Sequence, residues 1–133
     1  MVLQPEEHAI FCYGDTIYNP SGRDITTDVE FHESIHTRQQ GTDPDAWWSA
    51  YLTDPDFRLS QEIEAYGEQY QYGKKRIEAL DDLLRKEGKK MEVGKTKLLR
   101  WSLESMATAL AGQSYGNLLS FNQALSKIRN YSQ

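Results

Sequence analysis

The alternation of apolar and polar positions divides the chain into a short β segment followed by helices. His8-Ala-Ile-Phe-Cys-Tyr13 is a run of strand formers. Gly14-Asp15 interrupts it and Thr16-Ile-Tyr18 resumes it, so residues 8–19 are predicted to form a β-hairpin or two short strands. A two-stranded hairpin is marginal alone and must pack on other elements. Further on the period lengthens. Thr27-Asp-Val-Glu30 reads as a capping box, with Thr27 as N-cap, opening a helix to about Gln40 that Gly41 ends. Asp43-Pro44 and Asp54-Pro55 each pair a capping carboxylate with proline at the first helical position. The first opens a short helix carrying Trp47, Trp48, Tyr51 and Leu52. The second opens a long one, in which Ile63, Tyr66, Tyr70, Ile77, Leu80 and Leu84 recur at helical spacing. Gly67 and Gly73 weaken its middle, and a break near Gly73 is expected. Residues 86–94 are polar and glycine-containing and read as a loop. Leu99, Leu103, Met106 and Leu110 mark another amphipathic helix, Gly112 to Asn117 a break, and Ser120 to Gln123 a second capping box that opens a last helix with Ala124, Leu125 and Ile128.

The expected fold class is therefore α+β, mostly helical with a short N-terminal β-hairpin. A length of 133 residues suits one domain with a single core. With 38% hydrophobic and 26% charged residues the chain reads as globular and not as disordered. A net charge of −5 without a basic stripe argues against nucleic acid as a partner. The Lys/Arg-rich stretch near residues 85–100 reads as a solvated face, with docking of an acidic partner as the alternative. The only cysteine, Cys12, precludes an intramolecular disulfide, and in a strand it reads as a small buried hydrophobe. Residues Met1 to His8 lack a basic stretch followed by an apolar run, and no apolar stretch is long enough to span a bilayer, so no membrane association and a cytoplasmic location are the expectations. Oligomeric state leaves no signal in the sequence.

The chemistry is concentrated in His32-Glu33-Ser34-Ile35-His36, an H-E-x-x-H pattern well inside the first predicted helix. At ~3.6 residues per turn, positions four apart lie on one face, so both imidazoles can aim at one ion. Glu33, next to the first ligand, is rotated enough to miss the metal yet near enough to serve as a general base. The pattern is short and arises by chance, so the alternative is an amphipathic helix with two buried, hydrogen-bonded histidines. Two features of context favour a metal: the helix start signal, and a third ligand downstream in Gln61-Glu62-Ile63-Glu64-Ala65-Tyr66. A catalytic zinc has three protein ligands and one open position. Glu62 is preferred over Glu64, because Glu62, Ala65 and Tyr66 share a face and small Ala65 permits close helix approach. The alternative for Glu62 is a surface carboxylate. Trp47, Trp48 and Tyr51 read as core, with a substrate-side wall as the alternative; His8 reads as a strand-end residue.

His32-Glu-x-x-His36 followed by Glu62-x-x-Ala65 resembles the gluzincin metallopeptidases, and Gly14-Asp-Thr-Ile-Tyr-Asn-Pro20 together with Phe57-Arg58 and Gln61-Glu62 looks like small zincin-like proteins of bacteria and phages. The resemblance covers roughly residues 10–70. It implies a minimal zincin-like domain, Zn2+ held by His32, His36 and Glu62, Glu33 as catalytic base and later acid, and a peptide or protein substrate. Tyr66 is named as the donor to the oxyanion, with Tyr51 and Tyr70 kept as alternatives. Two departures stand out. Tyr66 occupies the position where many gluzincins place an Asp that supports the ligands. Gln39 and Thr42 stand where the metzincin pattern requires a glycine and a third histidine. Three functions compete on this evidence: a small metallopeptidase, a hydrolase of a non-peptide amide, and a non-enzymatic module in which zinc ties two helices together.

Overall fold

A computed structural model of the chain describes residues 10–112 and 118–131. His8, Ala9 and most of the break expected at Gly112 to Asn117 lie outside the described residues. Strands β1 (Phe11–Tyr13) and β2 (Thr16–Tyr18) form the expected hairpin, with Phe11 opposite Tyr18, Cys12 opposite Ile17 and Tyr13 opposite Thr16. Gly14 supplies a positive φ of 60° in the two-residue turn, a conformation disfavoured for any side chain with a Cβ.

Helix α1 spans Thr27–Gln40. Its N-cap is Thr26, not Thr27: the Thr26 hydroxyl accepts from Val29 N at 3.2 Å, and Thr27 is the first helical residue. Two adjacent threonines offered the same hydroxyl in two registers, and the Thr27–Glu30 box is not the one used. Asp28 and Glu30 still fall in the first turn, where the helix dipole favours negative charge. Gly41, at φ 57°, ends the helix as expected. Helix α2 (Pro44–Thr53) is capped by Asp43, which accepts from Ala46 N at 3.1 Å. Helix α3 (Pro55–Lys86) is capped by Asp54, which accepts from Asp56 N and Phe57 N. Helices α4 (Lys95–Leu110) and α5 (Phe121–Arg129) complete the chain, the latter with the reciprocal Ser120–Gln123 capping box. Among the described residues no helix is long and apolar enough to cross a membrane.

The 32-residue α3 runs through Gly73 without a break. Each helical glycine costs about 1 kcal/mol relative to alanine, and packing along both halves of the helix outweighs that cost. One face of α3 packs on α4 and α5, where Leu59, Ile63, Tyr66 and Tyr70 meet the core of Leu103, Met106, Ala107, Leu110, Ala124 and Ile128. Its opposite face packs on α1 through polar residues, with Ala65 fully buried between. Phe31 stacks on Tyr72 at 4.2 Å between ring centres, and Arg76 pairs with Asp28 at 3.0 Å, so α1 and α3 are joined at the start of α1 as well.

The two glycines of α3 have opposite roles. A Cβ on Gly67 would lie 2.3 Å from Cγ of Tyr131, near the root of that side chain, whereas a Cβ on Gly73 would meet nothing within 4 Å. Gly67→Ala is expected to lower stability by about 1–3 kcal/mol through overpacking, and Gly73→Ala to raise it by about 0.5–1 kcal/mol. Urea unfolding of the two variants followed by circular dichroism checks both signs.

Candidate metal centre

The helical spacing of α1 places His32 and His36 one turn apart on the face that meets α3, both buried. On α3, Glu62 opposes them and is 1% exposed. Glu62 Oε1 lies 3.1 Å from His32 Nε2 and 2.7 Å from His36 Nε2, and the two Nε2 atoms are 3.1 Å apart. One ligand atom from each of the three residues lies within 4.8 Å of the others. These separations approach the ~3.3 Å that a tetrahedral ion with bonds of ~2.0–2.1 Å sets between its ligands.

The far side of each ring decides what the near side can do. His32 Nδ1 faces Gln69 Oε1 at 2.9 Å, and His36 Nδ1 faces Gln39 Oε1 at 2.7 Å. Gln39 has its amide nitrogen committed to Gln61 O at 3.0 Å and Glu64 Oε1 at 2.8 Å, so its oxygen must be the atom facing His36. An amide oxygen only accepts, so each Nδ1 carries the proton and donates it. The Nε2 atoms are then left as lone pairs, directed at each other and at a carboxylate. Such a gathering of acceptors is repulsive unless a cation, proton or metal, sits among them. Two imidazoles of fixed tautomer and one carboxylate are a donor set suited to zinc.

Electrostatics agree. Burial alone would raise the Glu62 carboxyl and lower His36, but their mutual attraction wins on both sides: Glu62 is held well below the usual carboxylate range, and His36 is pushed up to about 9. Without metal, the cation at this point is therefore a proton on His36. Tyr51 donates its hydroxyl to Glu62 Oε2 at 3.1 Å, leaving Oε1 turned towards the imidazoles. Burial and the Glu62 charge raise the Tyr51 phenol, so it remains a donor.

One side of the cluster opens into a pocket of about 50 Å3, room for a few waters. Glu33 lies on its wall with Cys12, Trp48 and Tyr51. Burial raises the Glu33 carboxyl and the nearby imidazoles oppose that rise. The Cys12 thiol, pushed up to about 11 by burial, donates to the Glu33 carbonyl at 3.3 Å and behaves as a buried neutral group. Trp47 is buried and stacks on Tyr51 at 4.9 Å, with its indole N–H given to Gln61 Oε1 at 2.8 Å. The tryptophan pair thus serves both as packing and as wall.

His32, His36, Glu62 and Glu33 all come together at this point. Glu64 does not: it faces outward to Gln39 and Arg38, and acts on the site through Gln39. Tyr66 packs against the His32 ring at 4.4 Å and against the α4–α5 core, and is not among the residues lining the pocket; of the three tyrosines named from the sequence, Tyr51 is the one on its wall. Tyr70 belongs to the core. Sequence reasoning missed Gln39, Gln69 and Gln40. Their spacing carried a signal: Gln69 stands seven residues after Glu62, Gln39 three after His36, and Gln40 continues the four-residue line of His32 and His36.

Gln39→Leu and Gln69→Leu each remove the acceptor that orients one imidazole, and each is expected to weaken zinc binding about 10–100-fold. Glu64→Ala is expected to have a smaller effect in the same direction, and Glu62→Ala, which removes one of the three candidate ligands, the largest. Competition titrations against a chromogenic chelator rank the four. Comparison with known proteins finds no family model, no curated protein and no solved structure that matches this chain.

Proposed function

We propose that this protein is a zinc-dependent hydrolase of amide bonds, a metallopeptidase, in which His32, His36 and Glu62 hold the ion and Glu33 is the general base. The observation that carries the reading is the cluster of three donors within 4.8 Å whose open side is a pocket with Glu33 on its wall. When bound, the ion supplies Lewis acidity, polarising a carbonyl and drawing the pKa of a water from ~15.7 towards ~7. The protein supplies the rest. Glu33, its carboxyl raised by burial, takes the proton of the attacking water and returns it to the leaving amine. Tyr51 fixes the rotation of Glu62 by donating its hydroxyl proton to Oε2, and its side chain forms part of the pocket wall. Gln39 and Gln69 hold the ligand tautomers. The lone cysteine, kept as a buried thiol, suits a reducing, cytoplasmic setting.

A second reading, a non-enzymatic module stapled by zinc, is favoured by the small size of the pocket. The two readings part at Glu33, because a staple has no use for a base.

Elemental analysis is expected to find one zinc per chain. Glu33→Gln is expected to keep the zinc and lose turnover about 10²–10⁴-fold, whereas His36→Ala loses both; full activity in Glu33→Gln excludes the proposed base. Zinc must also displace the proton that His36 holds up to about pH 9. A group with a raised pKa stays protonated below that value, so apparent zinc affinity is expected to climb about tenfold per pH unit towards pH 9 and then level. Isothermal titration in buffers of different ionisation enthalpy measures the released proton.

A further inference from the structure

Arg58 stands one turn before Glu62 on α3, and both side chains are buried, at 2% and 1% exposed. Two things weigh against a cation there. Burying a guanidinium without a counter-charge is costly, and among the described residues its Nε has no hydrogen-bond partner. The opening turn of a helix also carries the positive end of the dipole. A residue that served packing alone would be apolar at this place. What offsets the cost lies across the interface, on α2. Tyr51 is in the last turn of α2, where backbone carbonyls lack partners within the helix and a cation is favoured. Arg58 Nη1 donates to the Tyr51 carbonyl at 2.9 Å, and Arg58 Cζ lies 6.0 Å from the centre of the Tyr51 ring. Trp47 stacks on the same ring at 4.9 Å. The far end of Tyr51 donates its hydroxyl to Glu62 Oε2 at 3.1 Å. The bonds thus leave α3 at Arg58, pass through one residue of α2, and return to α3 at the candidate ligand.

The two oxygens of Glu62 therefore have separate duties. Oε1 faces His32 Nε2 at 3.1 Å and His36 Nε2 at 2.7 Å, while Oε2 is taken by the Tyr51 hydroxyl. A carboxylate that gave both oxygens to the ion would fill the position that a catalytic zinc keeps for water. We infer that Arg58 is a positioning residue for the metal centre: by fixing Tyr51 it keeps Oε2 of Glu62 occupied, so that Glu62 offers the ion one oxygen and the side facing the pocket stays open. Arg58 is not among the residues lining the pocket, so it acts through Tyr51 and touches no substrate. The inference rests on His32, His36 and Glu62 as the ligands and does not require turnover.

The test loads the full-length protein with cobalt(II) in place of zinc. Four-coordinate cobalt absorbs visible light more strongly than five-coordinate cobalt, so the spectrum reports whether Glu62 gives the ion one oxygen or two. Wild type is expected to show the strong band. Tyr51→Phe, which frees Oε2, and Arg58→Met, which keeps the apolar stem and removes the donor and charge, are each expected to weaken it at least about twofold. Arg58→Lys, which keeps the charge and one donor, is expected to fall between wild type and Arg58→Met, and carries the test if Arg58→Met does not fold. Zinc competition against a chelator gives a second readout. Tyr51→Phe is expected to bind about tenfold more weakly, and Arg58→Met added to Tyr51→Phe to cost less than about twofold more, because the two act as one unit. A merely structural arginine weakens binding equally in both backgrounds. An unchanged cobalt spectrum in the Arg58 variants, or an Arg58 effect on affinity that persists in full beside Tyr51→Phe, overturns the positioning role and leaves the metal centre standing. A wild type that takes up neither zinc nor cobalt overturns the ligand assignment and this inference with it.

Discussion

Two imidazole lone pairs and a carboxylate meet at one point in the interior, and the rest of the molecule is arranged to hold them there. Left to themselves these groups repel or seek water. They stay because both helices are committed elsewhere: α3 to the apolar core on its far face, and α1 to the hairpin through Gln40 and to Tyr72 through Phe31. The acceptors therefore cannot relax by moving apart. They can only gather a positive charge, from a proton on His36 or from a metal, and that constraint links the fold to the proposed chemistry.

Helix α3 carries both duties because it has two working faces. Ile63, Tyr66 and Tyr70 face α4 and α5; Glu62, Ala65 and Gln69 face α1. The first set provides the burial that stabilises the helix. The second is polar and, apart from Ala65, contributes little apolar area, yet each of its polar groups finds a partner. Helix α1 is the reverse case. It has no strong apolar stripe, and its buried residues include His32, Glu33, His36 and Gln40. It is held by hydrogen bonds, ring contacts and the Arg38–Glu68 pair more than by burial of aliphatic side chains. A helix of this kind is specified by its partners, since an unmet polar group inside costs more than a met one returns.

The support of the two histidines also differs from the arrangement that the resemblance implies. Where a carboxylate would be expected to orient a ligand imidazole, neutral amides stand at Gln39 and Gln69. A neutral partner fixes the tautomer without adding negative charge next to a site that already holds Glu33 and Glu62. Glu64 enters one step further out, anchoring the amide of Gln39 in place of contacting the ring. The result is a layered set of bonds from the surface of α3 to the Nε2 of His36.

Much of this was legible from residue order alone. Helix starts at Asp43-Pro44, Asp54-Pro55 and Ser120 are local events, decided within four residues by capping oxygens and proline, so the sequence by itself determined them. The same holds for the turn at Gly14 and for the one-turn spacing of His32 and His36. Tertiary structure alone decided which of two equivalent local choices prevailed: Thr26 over Thr27 as cap, continuity of α3 through Gly73, Tyr51 and not Tyr66 on the pocket wall, and the amides of Gln39, Gln40 and Gln69 as the bonds that orient the imidazoles and tie α1 to the hairpin. Those outcomes depend on what lies across the interface from each residue. A periodicity records only which face a side chain is on, whereas a hydrogen bond between residues thirty apart exists only once the helices have met.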